Sequence, residues 1–272
     1  MPAAHRARPG DGIGGKEAGV QLRWLGTAGF EVISGSTSIL IDPYFTRNPE
    51  ARPRQDLRAR DFPGARAVLL THGHFDHSYD VAELVEASGA EVYASPLVCQ
   101  SLAARGVPWN GLRPRWGGES DEVGPFRFTA VPARHVTFDA RLVLTTLWKC
   151  LPRLAELSRL GSARYPCGQA LGWYIAAEGK RLFHLGSACM PWDLDAEVDV
   201  FMVPVQGRTD ICEVAAELVR RVRPKVVIPH HHDDFYPPLS RYVDLGPFRE
   251  ALRRMGLDVE VREPELNHLM EL

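Results

Sequence analysis

Three histidines and one aspartate stand within six consecutive residues of this sequence. They are His72, His74, Asp76 and His77, and they come soon after the apolar run 67–70. Imidazole nitrogens and carboxylate oxygens bind zinc, iron or manganese well and are poor choices for packing a core. A buried strand that ends in such a cluster predicts ligands for metal ions at the rim of a sheet. The alternative is a solvated histidine-rich turn, which rarely has this spacing behind a strand.

Most of the other histidines also lie at strand candidates. His135 follows one candidate, the triplet 230–232 follows another, and His184 lies within a third. Strand-end loops of an α/β scaffold commonly offer ligands because the sheet holds them rigidly. Adjacent residues of an extended segment point in opposite directions, so at most two of the triplet can face a shared metal. A single histidine after a strand is more often structural, but the cluster at 72–77 needs ligands from elsewhere.

The segments that position these residues are predicted to be short strands interleaved with helices. Alternating or continuous apolar residues predict strands at 20–25, 30–33, 38–41, 67–70, 91–94, 126–131, 172–176, 181–185, 198–205, 225–228 and 258–261. Helical spacing predicts helices at 81–88, 96–104, 142–160, 212–222 and 247–255. Pro152 is expected to split the segment 142–160 into two helical pieces. This order of elements fits two sheets packed face to face with helices outside.

Composition excludes several other classes of protein. The chain has 272 residues, 45% of them apolar, and a net charge of -2. It can therefore bury a sizeable core and has no bulk charge suited to nucleic acid or an anionic membrane. Five scattered cysteines without a CxxC pair indicate a reducing cytoplasm, and no run reaches the roughly 18 apolar residues of a membrane span. Residues 1–19 are predicted to be a flexible tail, and residues 20–272 one domain with a helical insertion at about 142–160.

Residues 72–77 also form the signature HxHxDH, and through it the chain resembles the metallo-β-lactamase-fold hydrolases. Residues 24–30 (WLGTAGF), 41–43 (IDP) and 228–231 (IPHH) are similar to one branch of that superfamily. This branch contains ascorbate-6-phosphate lactonase and N-acylphosphatidylethanolamine phospholipase D. The resemblance extends from about Val20 to the end of the sequence. It implies a four-layer αββα sandwich, with two mixed sheets face to face and helices outside.

Carried over residue by residue, the resemblance implies two metal sites. The first consists of His72, His74 and His135, and the second of Asp76, His77 and His231. Asp42 is expected to orient a ligand imidazole, with a turn-forming role before Pro43 as the alternative. Zinc is the expected cofactor, as one or two ions per chain, and manganese(II) or iron(II) are alternatives.

Ser187 departs from the family pattern. It occupies the position at which the family has an aspartate that bridges the two metals, and a neutral hydroxyl does not balance two dications. One outcome is a single metal at the first site. Another is a substitute carboxylate from Asp210, Asp233 or Asp234, although a solvated loop charge or a helix cap is the commoner role. The third is two metals bridged by hydroxide alone. We expect two metals with a weaker second site.

The implied activity is that of a metal-dependent hydrolase. A metal-activated water would attack a phosphoester, lactone or amide, with Asp76 orienting or deprotonating that water. Whichever of His230 and His232 faces inward is expected to stabilise the oxyanion or to protonate the leaving group. The alternative is a non-catalytic metal-binding sensor or scaffold that lost its activity with the bridging carboxylate. The intact cluster at 72–77 favours the enzyme.

The expected substrate is a small molecule that is anionic or partly apolar. Arg134 and Arg208 flank the proposed site loops and can bind an anion, although surface solvation is the commoner role for arginine. The segment 142–160 can roof the site, cover the core or form a dimer contact, so a homo-oligomer is compatible with the sequence. Phe235 and Tyr236 are candidates for pocket walls or for packing. Neither a nucleic acid partner nor a transmembrane segment is expected.

Overall fold

The computed structural model describes residues 19–161 and 163–272, apart from the side chain of Leu147. The predicted tail therefore lies outside the described residues up to position 18. The strands of the described part are Val20–Gly26 (β1), Gly29–Ser34 (β2), Thr37–Ile41 (β3), Ala65–Leu69 (β4), Glu91–Ala94 (β5), Leu112–Pro114 (β6), Ser120–Val123 (β7), Phe126–Pro132 (β8), Leu171–Ala177 (β9), Lys180–Leu185 (β10), Val200–Pro204 (β11), Val226–His230 (β12), Glu260–Val261 (β13) and Leu269–Glu271 (β14).

Seven α-helices connect or follow these strands in the described residues. They are Phe75–Ser78 (α1), Val81–Ser88 (α2), Pro96–Ala104 (α3), Ala140–Cys150 (α4), Leu154–Ser158 (α5), Ile211–Val222 (α6) and Gly246–Arg254 (α7). Short 3₁₀ turns occur at Ala59–Asp61, Trp109–Gly111 and Leu151–Arg153. The last of these contains Pro152 and separates α4 from α5, because proline lacks the amide that would continue the helix. None of the described helices is long and apolar enough to cross a membrane.

The strands form two mixed sheets of seven strands each. The order in the first sheet is β14-β1-β2-β3-β4-β5-β6, and in the second it is β13-β12-β11-β10-β9-β8-β7. Helices α2 and α3 cover the outer face of the first sheet, and α6 and α7 cover that of the second. The layers are therefore helix, sheet, sheet and helix. This confirms the predicted four-layer αββα sandwich.

Alternating side chains of the two sheets meet in a core between them. Leu22 and Val32 of the first sheet and Phe128, Trp173 and Met202 of the second belong to this core and are completely buried. Burying a large apolar side chain stabilises the fold by about 1.5–3 kcal/mol, so this layer holds the sheets face to face. The strand period of two puts the intervening side chains on the outer faces, against the helices.

The strand directions bring several loops to one rim of the sandwich. Strands β3 and β4 are parallel in the first sheet, and β10 and β12 run parallel to β11 in the second. Strand β8 is antiparallel to β9, which is antiparallel to β10, so β8, β10 and β12 all end on the same side. The loops that follow β3, β4, β8, β10 and β12 carry, in this order, Asp42, His72, His135, Ser187 and His231. Residues far apart in the sequence therefore meet at one place.

Candidate metal centre

The first group of potential ligands consists of His72, His74 and His135. One ring nitrogen from each lies within 4.8 Å of the others. His72 Nε2 is 3.1 Å from His74 Nδ1, and the His135 ring is centred 4.7 Å from that of His74. Loops after β4 and β8, which belong to different sheets, supply these residues. Three converging imidazoles are a common zinc-type ligand set.

The second group consists of Asp76, His77 and His231, and it adjoins the first. Asp76 Oδ2 lies 3.5 Å from His77 Nε2 and 3.3 Å from His231 Nε2. Asp76 and His77 are consecutive residues of the one-turn helix α1, while His231 follows β12. The ring centroids of His72 and His77 are 3.9 Å apart, so the two groups share one cluster. The structure thus brings together the six residues that the resemblance implied.

Hydrogen bonds orient the ligand imidazoles. His77 Nδ1 lies 2.8 Å from Asp42 Oδ2, which turns Nε2 toward Asp76. Asp42 also accepts hydrogen bonds from the backbone nitrogen of Thr71 at 2.7 Å and from its hydroxyl at 2.5 Å. His135 Nδ1 lies 2.8 Å from the carbonyl oxygen of Val136, which leaves Nε2 for the first group. Such partners fix the tautomer and the direction of a ligand.

Protonation states in most of the cluster favour cation binding. Burial lowers the pKa of His72 well below its usual value and that of His74 to about 4, so both rings are neutral at pH 7. Burial acts to raise the pKa of Asp76, but nearby His77 and His231 outweigh it and hold the pKa well below its usual range. Metal ligands must be neutral imidazoles and ionised carboxylates. The imidazoles of the first group and the Asp76 carboxylate are therefore in the states that a metal ion requires. Burial acts to lower the pKa of His77, but Asp42 and Asp76 outweigh it and raise that pKa, so a metal ion at the second group displaces a proton from this ring.

Ser187 lies at this rim, and its hydroxyl is engaged with the His135 loop. The backbone nitrogen of Val136 donates to Ser187 Oγ at 2.8 Å. The preceding Gly186 is packed so tightly that a Cβ there would lie 1.9 Å from Thr71 Oγ1 and 2.8 Å from Asp42 Oδ2. Ser187 therefore supports the residue next to a ligand. It contributes no anion to the cluster.

The three candidate substitutes for the bridging aspartate are engaged elsewhere. Asp210 pairs with Arg208, whose guanidinium also donates to the backbone oxygen of Thr137. Asp233 pairs with Arg47, and Asp234 accepts a hydrogen bond from Ser240. Neither group of potential ligands contains any of the three. Among the described residues, the cluster's carboxylate ligand is Asp76, with Asp42 behind it.

His230 and His232 do not join the cluster. The completely buried His230 ring stacks on His184 at 4.7 Å and packs edge-on against Phe30, between the sheets. His232 stacks on Trp24 at 4.8 Å. His231 is the member of the triplet that faces the metal centre, since its Nε2 lies 3.3 Å from Asp76 Oδ2. Their expected catalytic role stays a prediction, and their contacts are those of packing residues.

Aromatic side chains flank the centre on two sides. Phe138 is half-exposed and packs edge-on against the ring of His135, at 5.5 Å between centroids. Phe235 is buried against His231 at 5.1 Å, in a cluster that also contains Tyr44 and Tyr236. Arg134 is exposed beside His135. His74, His135 and His231 are partly exposed, so the centre opens to solvent between these walls.

Sequence reasoning missed the residues that support the ligands. Thr71 binds Asp42, and Thr27 accepts the backbone hydrogen of His231. Arg47 joins Asp233 to the Thr27 turn. Thr71 stands directly before the signature and Thr27 lies in the segment WLGTAGF, so position gave a signal for both. Arg47 lies in a polar segment without a motif, and nothing in the sequence distinguished it.

A family comparison agrees with this geometry. The model of the beta-lactamase superfamily domain matches residues 37–232, which include Asp42 and all six potential ligands. The chain belongs to this superfamily. The match confirms the resemblance on which the ligand assignment was based, at the level of the superfamily. The finer assignment to the branch of ascorbate-6-phosphate lactonase and N-acylphosphatidylethanolamine phospholipase D stays a prediction.

Relatives within the beta-lactamase superfamily carry the name of an enzyme. A UPF0173 metal-dependent hydrolase of Methylobacterium nodulans is 32% identical over 250 residues, which cover 89% of this chain and 96% of that one. Another UPF0173 metal-dependent hydrolase, from Pyrococcus abyssi, is 29% identical over 230 residues, which cover 81% of this chain and 88% of that one. These relatives confirm the prediction of a metal-dependent hydrolase.

Solved structures of other proteins share the fold. The metallo hydrolase Igni18 of Ignicoccus hospitalis gives a TM-score of 0.65 at 22% identity, covering 93% of this chain and 98% of that one. CmlA, a diiron beta-hydroxylase of Streptomyces venezuelae, gives a TM-score of 0.61 at 14% identity, covering 94% of this chain and 54% of the CmlA chain. A hydrolase and a diiron hydroxylase thus share this architecture. The fold by itself does not select the metal or the reaction, so both depend on the side chains of the centre.

Proposed function

We propose that this protein is a hydrolase that cleaves a phosphoester, lactone or amide bond of a small molecule at a centre for two metal ions. The observation that carries this proposal is the pair of adjoining three-ligand groups, His72, His74 and His135 beside Asp76, His77 and His231. Metal ions bound there would lower the pKa of water toward about 7 and polarise the scissile carbonyl or phosphoryl oxygen.

Asp76 is the residue that orients the attacking water. Its carboxylate is anionic at neutral pH because His77 and His231 keep its pKa well below the usual range. A carboxylate with such a low pKa accepts a hydrogen bond well but is a weak general base near pH 7. We therefore assign Asp76 to holding the water in line with the substrate. Asp42 keeps His77 in place through the bond to Nδ1.

The surroundings of the centre indicate how a substrate is held. Arg134 is exposed beside His135 and offers a positive charge to an anionic group. Arg208 is already paired with Asp210 and bonded to the Thr137 loop, so we assign it to supporting that loop. Phe138 offers an apolar surface next to His135. A small molecule with an anionic and an apolar part fits these walls.

Zinc is the metal we propose, because imidazole and carboxylate donors suit it and it needs no redox partner. Manganese(II) and iron(II) accept the same donors. We also propose a cytoplasmic location, which is supported by the five cysteines, all of which are free thiols. A non-catalytic sensor is the less favoured interpretation, since all six ligand candidates are present and relatives are named hydrolases.

The test is turnover on a panel of generic phosphodiester, lactone, ester and amide substrates with zinc, manganese(II) or iron(II). We expect at least one combination to be hydrolysed. His74→Ala and His231→Ala should each lower kcat/KM by more than about 100-fold, because losing a ligand removes several kcal/mol of charge stabilisation. Elemental analysis should show two ions in the wild type and fewer in each variant.

His268→Ala is the matched control, since the His268 side chain is 70% exposed and lies outside both ligand groups. It should leave both turnover and metal content unchanged. Absence of turnover with every metal, at full occupancy of both sites, would contradict the enzyme and favour the sensor.

A further inference from the structure

His231 is held in an unusual backbone conformation by a neighbouring turn. Its φ is +61°, in the left-handed region that side chains rarely adopt. The backbone nitrogen of His231 donates to the carbonyl oxygen of Thr27 at 2.8 Å, and Gln206 Nε2 donates to the His231 carbonyl oxygen at 3.1 Å. A strained ligand conformation persists only when its surroundings enforce it. The direction of the His231 ring therefore depends on the Thr27 turn.

Asp233, two residues after His231, holds the Thr27 turn in place. The backbone nitrogen of Thr27 lies 3.1 Å from each carboxylate oxygen of Asp233, and Thr27 is completely buried. Thr27 itself has a φ of +52°. The segments 26–28 and 231–233 are thus joined by two hydrogen bonds that run in opposite directions. Neither segment can shift without the other.

Arg47 closes this arrangement with a buried ion pair. Arg47 Nη1 lies 2.7 Å from Asp233 Oδ2, and the two side chains are only 3% and 1% exposed. Arg47 Nη2 donates to Thr27 Oγ1 at 3.0 Å. Gly26 has a φ of +87°, and a Cβ there would lie 1.8 Å from Arg47 Nη2. Because glycine has no side chain, the Arg47 guanidinium can occupy the space beside Gly26.

We propose that the Arg47–Asp233 pair is a positioning device for His231 and thereby sets the affinity of the second metal site. Its contacts reach His231 through Thr27. The first site depends on other contacts, because Thr71 and Val136 bond His72 and His135. The inference rests on the proposed function only in that Asp76, His77 and His231 bind a metal. Loss of the pair should weaken that site selectively.

The experiment is a zinc titration of metal-free full-length protein by calorimetry, with a competing chelator. Arg47→Ala should weaken the second binding step by about 10–100-fold, the range found when a supporting partner of a ligand is removed, and leave the first step unchanged. The affinity of the second step in Arg47→Lys should lie between those of Arg47→Ala and the wild type, because lysine keeps the charge but lacks the planar guanidinium.

Arg47→Ala leaves Asp233 as an unpaired buried charge, which can itself destabilise the fold. The double variant Arg47→Met/Asp233→Asn avoids this, because the asparagine still accepts from Thr27 while no charge stays unpaired. Circular dichroism of the metal-free protein checks its folding. This variant should also lose affinity at the second step only. The matched control is Arg115→Met/Asp121→Asn, a partly buried ion pair at the edge of the sheets, which should change neither step.

Three outcomes would overturn the inference. One is an unchanged second step in a folded variant, and another is an equal weakening of both steps. The third is a wild-type protein that binds one zinc ion at any supply, which would also refute the two-metal centre. Two steps in the wild type with unchanged steps in the variants would refute only the positioning role and leave the proposed function intact.

Discussion

Ser187 poses the main chemical question of this centre at the scale of single residues. Two divalent ions close together repel each other and need anions between or beside them. Asp76 is the carboxylate of the ligand groups, Asp42 lies behind His77, and Ser187 adds no charge. The Ser187 hydroxyl holds the loop of His135 instead. The second site therefore has fewer anionic partners than a superfamily member with an aspartate at this position.

Replacing Ser187 with aspartate should restore an anion at the rim. We expect Ser187→Asp to tighten the second zinc-binding step by about tenfold or more, because a carboxylate attracts both ions and can still accept the hydrogen bond from Val136. A zinc titration with a competing chelator measures the change. Ser187→Asn is the control, since asparagine has nearly the same shape as aspartate but no charge. Equal effects of the two substitutions would show that charge at this position does not limit binding.

At the scale of elements, the segment 138–160, which contains α4 and α5, lies beside the aromatic cluster of the centre. Large apolar side chains are unusually exposed along it, and these are Phe138, Val143, Leu144, Trp148, Leu151 and Leu154. Its inner side packs Leu157 and Leu160 onto the aromatic cluster beside the centre. Phe138, at the start of this segment, is an exposed aromatic that contacts the ligand imidazole of His135. The segment 138–160 therefore contributes an apolar wall to the mouth of the site.

Removing the Phe138 ring should change substrate preference. We expect Phe138→Ala to lower kcat/KM for a long-chain acyl lactone or ester by about 10-fold and to leave a short-chain analogue unchanged, because the lost contact is worth about 1–2 kcal/mol. Trp148→Ala is the control, since Trp148 is 76% exposed and lies farther along the same segment, in α4. A parallel loss on both chain lengths would indicate that Phe138 supports His135 and does not select the substrate.

Element prediction succeeded where the local pattern was strong. Helices α2 and α3 and strand β5 have the predicted bounds, and α6 and α7 differ by one residue at most at each end. Strands β6, β7 and β14 were not predicted. Strand β7 has the sequence SDEV and lies at the sheet edge, where it pairs with β8, and β14, the last strand in the sequence, pairs with β1, the first of the described strands. Such strands form because a partner is present, and their own residues carry little signal.

Buried imidazoles make the stability of the whole molecule depend on pH. Burial lowers the pKa of His184 to about 4, and it holds the pKa of His230 well below its usual value. His72, His74 and His135 shift in the same direction. Only for His77 among the cluster's shifted imidazoles is burial outweighed, by Asp42 and Asp76, which raise its pKa and oppose the effect. An unfolded chain binds protons at these residues below about pH 6.5, while the folded chain does not until a lower pH. Acidification therefore favours the unfolded state.

We expect the metal-free protein to lose stability as the pH falls from 7.5 to 5. For His184, with a pKa of about 4 when folded and about 6.5 when unfolded, the loss is about 2 kcal/mol. Urea unfolding at the two pH values measures it. His184→Gln can still donate to the carbonyl oxygen of Ala28, and should show a smaller loss over this range. The same loss in the variant and the wild type would assign the acid sensitivity to other groups.

The sequence by itself determined the chemistry of the centre and the kind of fold. Ligands at 72–77 lie within a few residues of one strand end, so local chain geometry places them together. Apolar periodicity determined most strands and helices, since burial of one face is a local requirement. The tertiary structure decided which of His230, His231 and His232 faces the metals, and it assigned Ser187 to Val136 and Asp233 to Arg47. Such contacts join distant segments, as Thr27 and Asp233 do across 206 residues, and no periodic pattern in either segment encodes its partner. They form only when both sheets pack, which is the physical reason that the sequence alone left them open.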